Sequence, residues 1–252
     1  MFKFRLNLAR GRGFGAGLAV LAMLAACAPA PAPLDLNDPD EAKNREIHAF
    51  NSALDTAFLR PAGIALTEVL PQPMLRGVSN FASNLDLPGA VLNDVLQLRL
   101  GRAVENTLRF AINTTIGVGG LMDPASALGV LGDPTDFGET LHVWGVAEGA
   151  YGELPLLGPT TDRDTLGTMV DLALNPLRLI VPQDLGWVPL SAEALSLVAD
   201  RGRYLETFDS ILYDSADSYA QARLLYLQNR RFELGIAAAE AYDDPYEDPY
   251  AQ

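Results

Sequence analysis

Proline and glycine punctuate this chain so often that its apolar segments stay short. After residue 26 no run of 18 apolar residues exists. An ordinary membrane-spanning helix, which needs ~20, is therefore not available. Breakers such as Pro71, Pro73, Pro88, Gly101, Gly117, Gly119 and Gly120 delimit helical pieces, and no convincing period-two alternation appears between them. The expected class is all-α. Asp38-Pro39 reads as a cap followed by proline at the first helical position. Ile47, Phe50, Leu54 and Ala57/Phe58 then recur at helical spacing, and Pro61 is expected to end that helix near Arg60. Further helical pieces are expected at 62–70, 73–84, 89–99, 102–115, 136–145 and 162–175. Two longer ones follow at about 192–211 and 215–234, capped by Ser191 and Asp214.

Several of these pieces are too apolar for a comfortable water-soluble bundle. Ile116 to Leu131 carries one charge, Asp123, and Leu154–Leu157, Ile180-Val181-Pro182 and Trp187–Leu190 are apolar around prolines. Pattern alone fits two arrangements about equally. One is a buried core with proline-rich loops; the other is short helices lying in one leaflet of a membrane.

The first 26 residues stand apart. Lys3, Arg5, Arg10 and Arg12 form a basic segment without acids, and an apolar stretch follows from Phe14 to Ala26. Leu24-Ala25-Ala26-Cys27 then reads as a bacterial lipobox, so residues 1–26 are a lipoprotein signal peptide and Cys27 is the lipid acceptor. Two or more acyl chains anchor stably. Ala28, where an Asp is the usual inner-membrane retention signal, favours the outer membrane. Residues 27–37 read as a lipidated, proline-rich tether, 38–236 as the helical domain, and 237–252 as a disordered acidic tail with a small Asp-Pro-Tyr repeat. The chain carries a net charge of −14, and loss of the four signal-segment cations leaves about −18. Such a chain has no basic stripe to neutralise phosphates, so nucleic acid is not an expected partner.

Catalytic and metal signatures are missing from the sequence. The one cysteine is committed to lipid, no Gly-x-Ser-x-Gly elbow occurs, and His48 and His142 have no zinc spacing. Asp162-Arg163-Asp164 lacks the rest of a calcium loop and fits capping by Thr160-Thr161 instead. Gly117-Val118-Gly119-Gly120 is followed by no lysine and is not a phosphate loop. The expectation is a non-enzyme without metal or cofactor.

One segment has a clear polar stripe. Over 102–115, Val104, Leu108, Ala111/Ile112 and Thr115 share one helical face, while Arg102, Glu105, Asn106, Arg109 and Asn113 share the other. In water the polar face would be solvated and laced with ion pairs. In a membrane-embedded ring it would turn to a channel or to the periplasm. Asn80 and Asn84, one turn apart, suit either a lipid headgroup or the capping of neighbouring helices. Gly117, Gly119 and Gly120 suit a hinge or a tight turn. Asn51, beside Phe50 on the apolar side of its helix, needs hydrogen-bond partners and reads as structural.

In serial order the motifs resemble the MlaA/VacJ lipoproteins of the Gram-negative outer membrane. The resemblance rests on Asn44-Arg45 with Phe50-Asn51, Asp55 and Arg60-Pro61, then Pro71-Gln72-Pro73, Arg76, Asn80-Phe81, Asn84-Leu85, Pro88, Asn93 and Leu96-Gln97. It continues through Arg109-Phe110, Asn113-Thr114-Thr115, Gly117 to Asp123, Asp136-Phe137-Gly138, Trp144-Gly145-Val146, Leu154 to Pro159, Arg163-Asp164 and Gly167. Ala42-Lys43 depart from the family pattern, which has Pro and an aromatic there. The resemblance implies a helical ring within one leaflet, enclosing a channel, with the longer helices at the C-terminal end. It implies removal of misplaced phospholipid from the outer leaflet, transfer to a soluble periplasmic lipid carrier, and association with a trimeric porin. A structural, porin-stabilising lipoprotein without transport is the alternative.

Overall fold

A computed structural model describes residues 36–177 and 182–236. The signal peptide, Cys27, most of the tether, Ile180-Val181 and the acidic tail lie outside the described residues. The chain forms α1 (Glu41–Leu54), a π-turn (Asp55–Leu59), α2 (Arg60–Val69), α3 (Gln72–Leu96) and α4 (Leu100–Thr115). Short helices α5 (Pro124–Ala127) and α6 (Phe137–Val143) precede a hairpin of β1 (Tyr151–Leu154) and β2 (Gly158–Thr161). Then come α7 (Asp162–Leu174), a 3-10 turn (Gln183–Leu185), α8 (Val188–Arg203), α9 (Leu205–Leu212) and α10 (Ser218–Glu233).

The packing order closes on itself. Helix α3 packs on α4, α6 and α8; α6 packs on α7, α7 on β2, and β1 on α1. Helix α1 continues through the π-turn into α2, and α2 returns to α8. The result is a ring with the 25-residue α3 as its longest member.

The all-α class holds, with several local corrections. Pro61 does not end the first helix. It sits in the first turn of α2, directly after the π-turn, whose wider winding gives the proline ring room against the preceding carbonyls. Pro88 lies inside α3, so 73–84 and 89–99 are one helix. Its neighbours Leu87 and Ala90 are both buried, and that packing outweighs the lost backbone bond. The long 192–211 segment instead breaks at Tyr204 into α8 and α9. Ser191 lies within α8, bonding back to Trp187, and Asp217 rather than Asp214 caps α10. Asp38 does not cap α1; its carboxylate accepts from Asn44, Tyr219 and Arg223. Leu154–Leu157, read in the sequence as apolar around a proline, forms the end of β1 and the tip of the hairpin. Pro155, Pro159 and Gly158 obscure its alternation. The expected cap at Thr161 is present, its hydroxyl accepting from the Asp164 N–H. Asn37, placed in the tether, already docks: its carbonyl accepts from the Tyr151 N–H at 2.7 Å.

Polarity is inverted across the ring. Its buried residues include Asn44, His48, Asp55, Asn84, Asn93, Asp94, Asn106, Asn113, Glu139, Glu153, Arg163, Asp164 and Arg201, and among the described residues the buried polar ones outnumber the buried apolar ones, many of which are alanine. Ile116, Val118, Leu121, Met122, Leu128 and Leu131 are exposed, as are Leu156, Leu157, Trp187 and Leu190. The broken apolar segments therefore form an exterior, and the buried-core arrangement is not the one adopted. Along α1 and the π-turn, Phe50 and Phe58 of the apolar stripe are exposed and Ile47 and Leu54 half-buried, while Asn44, His48 and Asp55 are buried.

Two features tie α2 and the π-turn before it to α8. At Gly63 and Gly202 the helix backbones touch: a Cβ on Gly202 would fall 2.3 Å from the Gly63 carbonyl oxygen. Small residues permit such close approach. Beside it, buried Arg201 donates to both oxygens of buried Asp55 at 2.7 and 2.8 Å and to Asp209 at 2.6 Å, while Tyr213 donates to Asp55 at 2.6 Å. Removing one member of a buried pair leaves the other charge uncompensated. Asp55→Ala is expected to cost about 3–5 kcal/mol of stability, read as a large drop in thermal midpoint. A midpoint within 2–4 °C of wild type, the shift expected of only about 1 kcal/mol, would show that Asp209 alone satisfies Arg201.

Candidate functional site

Helix α4 presents the inversion most clearly. Val104 and Leu108 are 60% and 50% exposed, whereas Asn106 and Asn113 are 1% and 4% exposed. The polar stripe faces inward onto α3 and the segment 123–135. Asn106 donates to Asp94 Oδ2 at 2.7 Å and to the Asp133 carbonyl at 3.1 Å. Arg109 reaches Asp123 at 2.6 Å, Ser126 Oγ at 2.8 Å and the Val130 carbonyl at 2.9 Å. Asn113 donates to Asp123 Oδ1 and accepts from the Ala125 N–H. Arg102 pairs with Asp133 at 2.9 Å, with Asp94 and Glu139 farther off, and Glu105 accepts from the Gly132 N–H. The charges expected to pair along the helix pair instead with other elements.

Helix α3 supplies the facing wall. Asn84 Nδ2 donates to Thr114 Oγ1 at 3.0 Å, and Asn80 Nδ2 donates to the Leu121 carbonyl at 3.4 Å. Gly117, Gly119 and Gly120 form a tight turn closing α4. The Gly119 and Gly120 N–H groups bond back to Thr114 and Asn113, both residues have positive φ, and a Cβ on Gly120 would strike Asn84 at 2.7 Å. Asn51 clamps the hairpin tip, donating to the Leu154 carbonyl and accepting from the Leu156 N–H.

Two cavities adjoin at α3. The larger, about 710 Å³, lies between α3, α6, α7, α8 and α10, with Asp86, Arg102, Asp136, Asp171, Glu193 and Arg230 on its wall. The smaller, about 300 Å³, is lined by Asn80, Asn84, Asn106, Arg109 and Asn113 among others. They share Asp86, Ala90, Asp133, Pro134 and Thr135. Of the polar residues singled out as channel or headgroup candidates, all but Glu105 lie on one wall or the other. Asp86, Asp171, Glu193 and Arg230 were not anticipated. They come from four separate helices, and no local spacing announces their meeting.

Electrostatics differ between Asp164, which lies behind the larger wall on Arg230, and Asp86, which lines it. Burial alone would raise the Asp164 carboxyl, but the guanidiniums of Arg230 and Arg163, with the Tyr226 hydroxyl, hold it below the usual carboxylate range. Asp86 opens into the cavity while protein hems it in. That partial burial, followed by the negative charge of Glu193 and Asp171, pushes its carboxyl up to about 6.

His48 lies away from both cavities. Its ring nitrogens sit 3.1 Å from Glu153 Oε1 and 3.1 Å from Ser218 Oγ, and its ring is edge-on to Tyr219. This carboxylate–imidazole–hydroxyl order occurs in serine hydrolases. Here each member belongs to a different element, and the imidazole and carboxylate are buried where α1, β1 and α10 join.

A closed helical ring with a polar, cavity-bearing interior and an apolar exterior defines a class of protein built to face lipid outside and polar groups inside. Residues 36–233 match the family described as MlaA lipoprotein. The chain is 34% identical over 224 residues to the intermembrane phospholipid transport system lipoprotein MlaA of Escherichia coli K12, covering 86% of this chain and 84% of that one. The Haemophilus influenzae protein of the same name is 33% identical over 202 residues, covering 79% of each. An uncharacterized protein of Rickettsia bellii is 39% identical over 197 residues, covering 78% of this chain and 76% of that one. A solved structure described as the structural basis for maintenance of bacterial outer membrane lipid asymmetry superposes with a TM-score of 0.68 at 32% identity, covering 78% of this chain and 98% of that chain. The chain belongs to the MlaA lipoprotein family.

Proposed function

We propose that this chain is an outer-membrane lipoprotein whose ring sits in one leaflet and passes phospholipids from that membrane toward the periplasm, maintaining lipid asymmetry. The observation that carries this reading is the inversion: exposed apolar side chains around a polar, cavity-bearing interior. A phospholipid needs a polar path for its headgroup and an apolar setting for its tails, because burying an unpaired charge is costly. The family relatives named for intermembrane phospholipid transport support the same reading. Within it, acylated Cys27 anchors the chain at the periplasmic face, a trimeric porin holds the ring in place, and a soluble periplasmic carrier receives the lipid. The polar residues of α3 and α4 line the route, and the Gly117–Gly120 turn positions its wall.

Thr135, on the wall common to both cavities, offers the test. Thr135→Trp fills that junction. In cells relying on this protein, it is expected to raise outer-leaflet phospholipid to the level of a deletion strain at normal protein abundance. Wild-type asymmetry with a stably produced Thr135→Trp protein would refute the route and favour a structural, porin-stabilising role.

A further inference from the structure

The cations on the two cavity walls are engaged. Arg102 is held by Asp133, Arg109 by Asp123, and Arg230 by Asp136, Asp164 and Glu233. Asp171 accepts from Asn93 Nδ2 and the Phe137 N–H, both at 2.8 Å, rather than from a cation. On the same wall Asp86 and Glu193, both accessible from the cavity, form no ion pair among the described residues. The uncompensated charge facing the cavity is therefore negative and comes from three helices, α3, α7 and α8.

A second observation lies two residues away on α3. Asn84 is 3% exposed, and its Nδ2 is used by Thr114 while its Oδ1 has no hydrogen-bond partner. Asn84 lines the smaller cavity, which it shares with Asp86. A buried acceptor without a donor is costly unless something arrives to donate to it.

The occupant must then bring positive charge and N–H donors. Among the described residues no group of three or more His, Cys, Asp or Glu is placed to hold a metal ion. Carboxylates set apart around a cavity of about 710 Å³ do not chelate; they create a field that concentrates a mobile cation. An alkylammonium fits these terms, having three donors and no demand for fixed coordination geometry.

We propose that Asp86, Asp171 and Glu193, with Asn84 Oδ1 on the adjoining smaller cavity, form a subsite for the ammonium of an ethanolamine headgroup, so that the passage favours zwitterionic over anionic phospholipid. This inference rests on the transport reading and deepens it. An anionic lipid brings a phosphate and no cation, and meets a wall whose guanidiniums are already taken. A zwitterionic lipid carries its own counter-charge to the carboxylates.

The full-length acylated protein is reconstituted in vesicles of equal phosphatidylethanolamine and phosphatidylglycerol, re-extracted in mild detergent, and its bound lipids are quantified by mass spectrometry. Wild type is expected to retain the ethanolamine lipid in about threefold excess, the scale of solvent-screened charge pairs. The Asp86→Asn/Glu193→Gln protein is expected to lose that excess, and Asp86→Glu to keep it. Both altered positions open to the cavity, so neither change buries a new polar group; helical content is checked for each variant. A wild-type ratio near one, or an unchanged excess in the double variant, overturns the subsite. Lipid absent from all the proteins overturns the transport reading and the subsite with it. Lipid bound without preference overturns the subsite alone.

Discussion

Gly63→Val is expected to unfold the ring, so that the chain is degraded and the protein no longer accumulates. Even a single Cβ at Gly63 would lie 2.7 Å from the Gly202 nitrogen, 3.0 Å from the Val198 carbonyl oxygen and 3.1 Å from the Gly202 Cα. All three are backbone atoms of α8, so no rotamer change relieves the contact. Overpacking a well-filled site costs about 1–3 kcal/mol even where side chains can move, and stability is roughly 5–15 kcal/mol in total. The helix crossing is also a link in the ring, and the Asp55–Arg201 pair spans the same junction. Prying α2 from α8 therefore strains the buried ions as well. Gly89→Ala is the matched control, because nothing lies within 4 Å of its added Cβ. It is expected to leave stability unchanged or raise it by up to about 1 kcal/mol through helix propensity. Immunoblots of membrane fractions and thermal melts of the purified proteins read both. A Gly63→Val protein with a wild-type melt would show that α2 and α8 can separate without loss of the fold.

Helical period was legible in the sequence; which face turns inward was not. Residues 102–115 fall on the two stripes expected of them, and Asn106, Arg109 and Asn113 reach one cavity because the helical repeat of α4 aligns them. Period alone does not say what solvent surrounds a helix. Along α1 and the π-turn the spacing of Phe50 and Phe58 fitted a stripe facing either way, and they lie outside, with Asn44, His48 and Asp55 buried. The prolines misled for a related reason. Pro61 and Pro88 are local stop signals, and each is carried through by packing that no local signal contains: the π-turn before α2, and the buried flanks of α3. Charges at the cavity were the least legible. Asp86, Asp171, Glu193 and Arg230 are tens of residues apart and meet only when the ring closes.

The second large effect concerns the outer face of α4. Val104 and Leu108 are one turn apart and exposed, and on a water-facing surface replacing either changes stability by no more than about 0.5 kcal/mol. Against lipid the same change costs about 2.5–3.5 kcal/mol per arginine at the hydrocarbon centre, and less toward the headgroups. Acyl chains would mask the difference by holding any variant at the membrane, so the comparison is made in a Cys27→Ser chain. That chain is expected to float with phospholipid vesicles through its apolar exterior alone. Adding Val104→Arg and Leu108→Arg is expected to reduce the floating fraction about tenfold or more, since each 1.4 kcal/mol is a factor of ten in partitioning. Circular dichroism should remain that of the folded ring, because neither position touches the buried polar stripe. Equal flotation of the two proteins would mean that protein rather than lipid covers this face, and the placement of the ring within a leaflet would fail with it.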